Sequence, residues 1–553
     1  MTLQLSLGTH QDAVDAALTE MATDNIIDRI WNIDHTVWQE DPTEVANRLG
    51  WLTSVTMMRE NLDKINALVS AVKADGYTNV LLLGMGGSSL APEVFSKTFG
   101  ADSDSLQLDV LDSTDPGYVL EYDSALDPAK TLFIVATKSG GTAETLSAFK
   151  YFYNRTLDTV GADEVGKHFV AITDPGSKLV DMAQTYSFRE TFENDPNIGG
   201  RYSALSFFGI VPAALVGLDL DKLFASADEA IASIKAAPAD NHGALLGAAM
   251  GELAKQGRDK ITLVLSPAIA SFGDWVEQLI AESTGKSGTG ILPVVGEPLV
   301  APDGYKDDRF FAYIRLDGAY DAEIQALEDA GHPVARLQIS DKYDMGGQFL
   351  IWEMATVIAG YRMNIQPFDQ PNVESAKNAA RAMIKAYEEK GELPVLEPAL
   401  EADGAKVYGI HAGSPADALG AFLSNAEDGS YISIHAYIHP TAESDEALAE
   451  LRTSLLTKTK LATTVGYGPR FLHSTGQLHK GDSGKGLFIQ ILGAMPEDAD
   501  IPDEAGKTES AMTFGTLKEA QALGDRQALL ENDRHFVRFY FDDVIAGIRG
   551  LAL

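Results

Sequence analysis

The chain has 553 residues, with 43 Lys and Arg against 80 Asp and Glu, and it contains no Cys. Its net charge of −37 argues against a surface that binds nucleic acids or anionic membranes, because both are polyanions. The lack of Cys excludes thiol nucleophiles and thiolate metal sites, and it fits a reducing, cytoplasmic compartment. Since no secretory signal and no apolar run of about 18 residues are visible, we expect a protein outside the membrane.

The predicted elements begin with helices and then alternate. Residues 1–75 show apolar residues at helical spacing and are predicted as an N-terminal helical segment. Residues 76–215 alternate short apolar runs with helical stretches, which is typical of a parallel sheet covered by helices on both faces. The strands predicted in this first unit are 79–84, 106–111, 131–137 and 168–173.

Two further α/β units follow a helical bridge. The bridge covers residues 216–258, the second unit residues 259–395, and a C-terminal α/β region residues 396–553. The predicted strands are 261–266, 290–295, 310–316 and 334–339 in the second unit, and 407–411, 431–437, 461–465, 487–492 and 537–541 in the last region. Long helices are predicted over 347–361 and 373–389. The fold class is therefore predicted as α/β with parallel sheets.

The first candidate site segment is GMGGSS, which follows the first predicted strand. Its residues Gly86, Gly87 and Ser88 allow close approach of the backbone to a ligand, and the following helix offers free N–H groups. The alternative is an ordinary tight turn. A dinucleotide fingerprint is not complete, because Ser89 stands where the third Gly is needed.

The second candidate is TKSGGTAET, after the third predicted strand. Thr137, Lys138, Ser139 and Thr142 supply hydroxyls and one cation ahead of a helix, which is the composition of a phosphate cradle. The alternative is a Ser/Thr helix cap with Glu144 as the capping carboxylate. Two such loops in one sheet favour a phosphorylated ligand.

Three more segments carry charged residues in special surroundings. Arg201 follows paired glycines in GGRYSALS, and Glu282 stands in QLIAESTGKS one helical turn after Gln278. A P-loop at this segment is excluded, because Ile280 occupies the position of the required Gly. Lys377 stands near the start of a helix after PFDQPN. In each case the alternative is a solvated surface residue.

The last segment, GYGPRFLHSTGQLHKG, contains His473 and His479 among glycines. Two histidines at this spacing could ligate a metal, but no HExxH pattern accompanies them, so no metal site is predicted.

In their order along the chain, these segments resemble the glucose-6-phosphate isomerase family. GMGGSSLAP, TKSGGTAET, GGRYSALS, QLIAESTGK and NIQPFDQPNVESAK resemble that family's glycine loop, phosphate loop, arginine, glutamate and lysine segments. The resemblance implies two sugar-isomerase (SIS) domains, and it covers residues 78–377. It also implies a sugar phosphate as the small-molecule ligand, no cofactor, and a homodimer as an option.

One segment departs from the family order. The family places a histidine segment between its glutamate and lysine segments, whereas HSTGQLHKG here follows the lysine. This order resembles the isomerase half of fused transaldolase–phosphoglucose isomerase proteins. The histidine role is therefore carried onto His473, with His479 as the fallback.

The resemblance implies isomerisation between glucose 6-phosphate and fructose 6-phosphate. Glu282 would move a proton between C1 and C2, Arg201 would stabilise the enediolate, and His473 and Lys377 would open the ring. The substrate-binding residues would be Gly86, Gly87, Ser88, Thr137, Lys138, Ser139, Thr142 and Gln278. The alternatives are a related SIS-domain enzyme active on mannose 6-phosphate or on both sugars, and a non-catalytic sugar-phosphate sensor.

Overall fold

The computed structural model describes residues 1–101, 104–402 and 404–552. The N-terminal segment is largely helical, as predicted, but it starts with a strand. Its elements are β1 (Thr2–Ser6), α1 (Gln11–Thr23), α2 (Ile26–Trp31), α3 (Ser54–Glu60) and α4 (Leu62–Ala74). Strand β1 pairs antiparallel with the second sheet, where Leu3 lies opposite Leu337. The helical prediction is therefore wrong at these first residues, whose alternating apolar and polar side chains form a strand pattern.

The first α/β unit is a five-stranded parallel sheet, which confirms the predicted fold class and the four predicted strands. Its elements are β2 (Asn79–Gly84), α5 (Leu90–Phe99), β3 (Gln107–Leu111), α6 (Pro116–Ala125), β4 (Thr131–Ala136), α7 (Ala143–Val160), β5 (Phe169–Thr173), α8 (Lys178–Thr185) and β6 (Glu190–Glu193). The strand order is β3-β2-β4-β5-β6, and every pair is parallel. The loops after β2 and β4 therefore lie side by side at the carboxyl edge of the sheet.

Three helices lead into the second α/β unit. They are α9 (Phe207–Leu215), α10 (Leu220–Ile234) and α11 (His242–Lys255). The second unit contains β7 (Lys260–Leu265), α12 (Phe272–Thr284), β8 (Leu292–Val295), β9 (Arg309–Arg315), α13 (Asp321–Asp329), β10 (Val334–Gln338), α14 (Met345–Arg362) and α15 (Val373–Lys390). Its sheet has the order β1-β10-β9-β7-β8 and is parallel except for β1.

The C-terminal region forms a third, mixed sheet. Its elements are β11 (Leu400–Ala402), β12 (Ala405–Tyr408), α16 (Pro415–Leu423), β13 (Tyr431–Tyr437), α17 (Ala442–Thr459), β14 (Ala462–Tyr467), α18 (Gly476–Gly481), β15 (Gly486–Gly493), β16 (Asp500–Ile501), β17 (Met512–Thr513), α19 (Phe514–Glu531), β18 (His535–Phe541) and α20 (Val544–Gly550). The order is β11-β12-β18-β15-β13-β14, with parallel pairing from β18 to β14.

Apolar contacts join the C-terminal region to both other units. Phe514 and Leu517 of α19 share a buried cluster with Phe149 of α7, and Leu478 of α18 shares another with Ala281 of α12. This packing brings α18, α19 and the turn before α18 next to the loops of the first sheet. In the described ranges, no helix is long and apolar enough to cross a lipid bilayer.

Candidate active site

The loop after β2 packs so closely against other segments that two positions require glycine. Gly86 has a φ of 54°, and a Cβ on it would lie 2.6 Å from the carbonyl oxygen of His473. A Cβ on Gly87 would lie 2.1 Å from the carbonyl oxygen of Gly200. Because neither backbone contact leaves room for a side chain, these glycines hold the turns of Arg201 and His473 against the first sheet.

Arg201 is a buried cation whose guanidinium is held on several sides. Its side chain is 3% exposed, and its Nη1 lies 3.5 Å from Oε2 of Glu282. Its Nε donates to Ser283 Oγ at 2.7 Å, and its Nη2 donates to the carbonyl oxygen of Pro367 at 2.7 Å. Gln370 accepts from Nη1 at 3.0 Å. The charge is therefore fixed in position before any ligand arrives, as transition-state stabilisation requires.

Glu282 lies on the last turn of α12, beside Gln278 on the same helix face. The Gln278 amide donates to Glu282 Oε2 at 3.2 Å and to the carbonyl oxygen of His473 at 2.7 Å. This one amide therefore links the carboxylate of the second unit to the histidine turn of the C-terminal region.

The loop after β4 presents an open helix N-terminus. Thr142 is the N-cap of α7, but its side chain makes no capping hydrogen bond and instead lies 2.9 Å from the Thr137 hydroxyl. The first backbone N–H groups of a helix have no partner within the helix, so this end can bind an anion. Lys138 points elsewhere, because its ammonium binds Asp174 and the carbonyl oxygen of Pro196.

His473 lies at the end of a short turn, Arg470–His473, and faces Glu144. Its Nε2 is 2.9 Å from Oε1 of Glu144, which is buried in the first turn of α7. Burial acts to raise the pKa of Glu144, but the charge of His473 and its hydrogen bond outweigh burial and hold that pKa below its usual value. The pair therefore favours an ionised carboxylate beside the imidazole.

These groups surround a cavity of about 250 Å³. Its lining includes Ser139, Thr142, Glu144, Lys377, His473 and Gln521. Lys377, on the second turn of α15, has no ion-pair partner in the described part of the chain. The cavity thus combines hydroxyls, a helix N-terminus, one unpaired cation and a histidine–carboxylate pair.

Known proteins share both the sequence and the fold. The family model of phosphoglucose isomerase matches residues 38–290. A probable glucose-6-phosphate isomerase of Methanococcus maripaludis is 31% identical over 383 residues, which cover 62% of this chain and 85% of that protein. The chain belongs to the phosphoglucose isomerase family. The glucose-6-phosphate isomerase of Rubrobacter xylanophilus is 28% identical over 376 residues, covering 59% of this chain and 87% of the relative.

Solved structures show the same fold at lower identity. A hypothetical protein of Thermus thermophilus superposes with a TM-score of 0.59 at 23% identity, over 69% of this chain and all of that one. A glucose-6-phosphate isomerase of Chlamydia trachomatis gives a TM-score of 0.58 at 19% identity, over 68% of this chain and 86% of that one.

In this phosphoglucose isomerase family member, the predicted site residues fall into two adjoining groups. Ser139, Thr142, Lys377 and His473 line the cavity. Arg201, Gln278 and Glu282 lie beside it and are joined to it by the Gln278–His473 contact. The remaining predicted residues are not among the residues that line the cavity: Gly86, Ser88 and Thr137 are buried, Gly87 is half-buried, and Lys138 binds Asp174.

The two histidines of the C-terminal segment differ in their surroundings. His479 is 1% exposed and stacks on His435 with 4.8 Å between ring centroids. Burial holds the pKa of His479 well below its usual value, so that it is neutral at physiological pH. Since His473 faces the cavity and His479 lies in the interior, the geometry favours His473 as the histidine of this family site.

Sequence reasoning missed several residues that shape the site. The sequence indicates Glu144 only as a helix-capping carboxylate, whereas in the structure its carboxylate turns to His473. Lys286, from the rejected P-loop segment, binds Asp369 at 2.8 Å and the carbonyl oxygen of Gln366 at 3.0 Å. Gln521 lies 377 positions from Glu144, and no motif marks it.

Proposed function

We propose that this protein interconverts glucose 6-phosphate and fructose 6-phosphate. The observation that carries the proposal is the fixed pair of Arg201 and Glu282, 3.5 Å apart, beside a cavity that can hold a phosphate. A carboxylate and a preorganised cation are the two groups that proton transfer through an enediolate needs.

The phosphate would bind at the N-terminus of α7. Its oxygens would accept from the Ser139 and Thr142 hydroxyls and from the open backbone N–H groups of the first turn. Lys377 would supply the nearby positive charge. This assignment leaves Lys138 out, because its ammonium is bound to Asp174.

Ring opening would fall to His473, assisted by Lys377. The ring oxygen must gain a proton while the hydroxyl on the anomeric carbon loses one, so a group is needed that both donates and accepts near neutral pH. His473 suits this, because Glu144 holds one ring nitrogen and leaves the other for the sugar.

Glu282 would then move the proton between the carbons. Its carboxylate takes the proton from C2 of the open-chain aldose, and the electron pair of the C–H bond forms the enediolate. The same carboxylate returns the proton to C1, while a proton passes from O2 to O1, and the ketose results. Arg201 would stabilise the negative oxygen of the intermediate, and this chemistry requires no metal or cofactor.

The proposal extends to the organisation of the chain. The order of the lysine and histidine segments supports the likeness to the isomerase half of fused transaldolase–phosphoglucose isomerase proteins. His473 and Glu282 meet through Gln278 of the same chain, so we propose a site complete in one chain, whether or not a dimer forms. The Cys-free composition fits the cytoplasm as the place of action.

A coupled assay tests the activity. Purified protein is supplied with fructose 6-phosphate and, in parallel, with mannose 6-phosphate, with a chelator present in both. We expect turnover of fructose 6-phosphate to glucose 6-phosphate. Turnover of mannose 6-phosphate alone would replace the proposed substrate, and binding without turnover of either sugar would support a sensor instead.

A further inference from the structure

We propose that Gln521, on α19 of the C-terminal region, is a positioning residue that orients Glu144 and, through it, His473 for ring opening. The inference rests on the proposed isomerase function and deepens it. Gln521 Nε2 donates to Glu144 Oε1 at 2.7 Å, and the same oxygen receives Nε2 of His473 at 2.9 Å. Both donors therefore converge on one carboxylate oxygen.

The orientation of the Gln521 amide is set from its other end. The Thr114 hydroxyl donates to Gln521 Oε1 at 2.7 Å, and Thr114 is fully buried after β3. If the amide were turned over, its oxygen would face the Glu144 carboxylate, and two acceptors would meet without a proton between them. Donation thus runs from Thr114 through Gln521 to Glu144, and His473 donates to the same carboxylate oxygen from its other side.

This chain restricts where the carboxylate can lie. Glu144 is buried, and the amide and imidazole are its side-chain donors in the described structure. Removal of the amide would leave the carboxylate free to rotate and would let the imidazole lose its direction toward the sugar. Gln521 itself is 5% exposed, on a helix whose Leu517 packs with Phe149 of α7.

Gln521 belongs to the C-terminal region of the chain. It lies outside residues 38–290, which the family model matches, and in the region that also supplies His473. The C-terminal region would therefore contribute both the histidine and a residue that orients its carboxylate partner.

The test compares Gln521→Leu with Gln490→Leu as the matched control. Gln490 is a fully buried Gln on β15. Its amide donates at 3.0 Å to the carbonyl oxygen of Ala522, which follows Gln521 on α19. Loss of this amide therefore disturbs α19 without touching Glu144. Each variant is assayed with fructose 6-phosphate and with 5-deoxyfructose 6-phosphate, which lacks the hydroxyl that closes the furanose ring.

We expect Gln521→Leu to lower kcat about tenfold on the ring-forming sugar and less than about twofold on the open-chain one. Gln490→Leu should leave the ratio of the two activities unchanged. Thr114→Val, which never touches the cavity, should shift the ratio in the same direction. The double variant Thr114→Val/Gln521→Leu should lose no more activity than Gln521→Leu alone, because both substitutions act through one chain of hydrogen bonds.

Two results would overturn the inference. Equal losses on both sugars in Gln521→Leu would show a general structural role, and additive effects of Thr114→Val would break the proposed chain. If Gln521→Leu fails to fold, the ratio of the two activities in Thr114→Val alone tests the inference.

A wild-type protein without isomerase activity would refute the proposed function. In that case, ¹⁵N NMR of the His473 ring tests the positioning: the hydrogen bond between its Nε2 and Glu144 should be lost in Gln521→Leu but kept in Gln490→Leu, and an intact bond in Gln521→Leu would refute it.

Discussion

The replacement of Glu282 by Gln tests the proposed base directly. The change is nearly isosteric, and Glu282 is 6% exposed, with its carboxylate contacted by Gln278 at 3.2 Å. An amide cannot accept a proton from carbon at neutral pH, so proton transfer should stop while the loops around the phosphate stay in place.

The magnitude follows from two opposing effects. Loss of a general base typically lowers kcat by about 10²- to 10⁴-fold. The same change removes a negative charge 3.5 Å from Arg201, an interaction of about 5 kcal/mol at an effective dielectric constant of ~20. The site therefore becomes more positive, and an anionic sugar phosphate should bind as tightly as before or more tightly, even as turnover falls.

Exchange of the sugar C1 and C2 protons with deuterated water, followed by NMR, measures the chemical step, and calorimetry with a non-reactive sugar phosphate measures binding. Glu277→Gln on the same helix is the matched control. Burial raises the pKa of Glu277 to about 8, so that its carboxyl is already neutral at pH 7 and the amide changes little. The base assignment is refuted if Glu282→Gln keeps more than a tenth of normal exchange or loses binding in step with exchange.

Three further outcomes are expected. Thr142→Val should raise KM about tenfold with kcat nearly unchanged, since a hydrogen bond to a charged phosphate is lost; steady-state kinetics measure this. Burial lowers the pKa of Lys286 to about 8, so above that pH its ion pair with Asp369 weakens and kcat should fall; pH–rate profiles should lose this alkaline fall in Lys286→Met. Mixing Glu282→Gln with His473→Ala protein should restore no activity, because one chain carries both groups.

Each of these outcomes has its own control and contrary result. Thr145→Val removes a buried hydroxyl without a hydrogen-bond partner in the described structure and should leave KM unchanged. An equal rise of KM in both Thr variants would refute the phosphate assignment. The same alkaline fall in wild type and Lys286→Met would assign it to another group. Activity recovered on mixing would show that two chains share each site.

The sequence predicted the parallel sheets well because their strands are buried on both faces. Runs such as β2 and β4 are continuously apolar and differ sharply from the helices around them. Edge strands lack that signal. The edge strand β6 has the sequence Glu-Thr-Phe-Glu with only Phe192 buried, and β1 reaches its partner more than 300 residues away, so that no local pattern announces the pairing.

The site was predictable where chemistry and local sequence coincide. Arg201 and Glu282 stand in short, recognisable segments, and the structure places them 3.5 Å apart. The contacts that orient the histidine are different in kind. Glu144 and His473 are 329 positions apart and meet only because the C-terminal region packs on α7 and α12. Gln521 depends on the same packing, and a glutamine on a helix carries no chemical signature by itself.

The net charge of −37 and an anionic substrate are compatible because of where the cations lie. Lys480 lines the cavity, but its ammonium forms an ion pair with Asp525, which is fully buried. Lys377 alone among the cavity's lysines keeps its charge unpaired in the described structure, and the remaining attraction comes from hydroxyls and the N-terminus of α7. Such dipoles act over a few ångströms, whereas the repulsion from surface carboxylates is screened beyond about 8 Å at physiological salt. Local donors therefore decide binding, and the acidic surface mainly excludes larger polyanions.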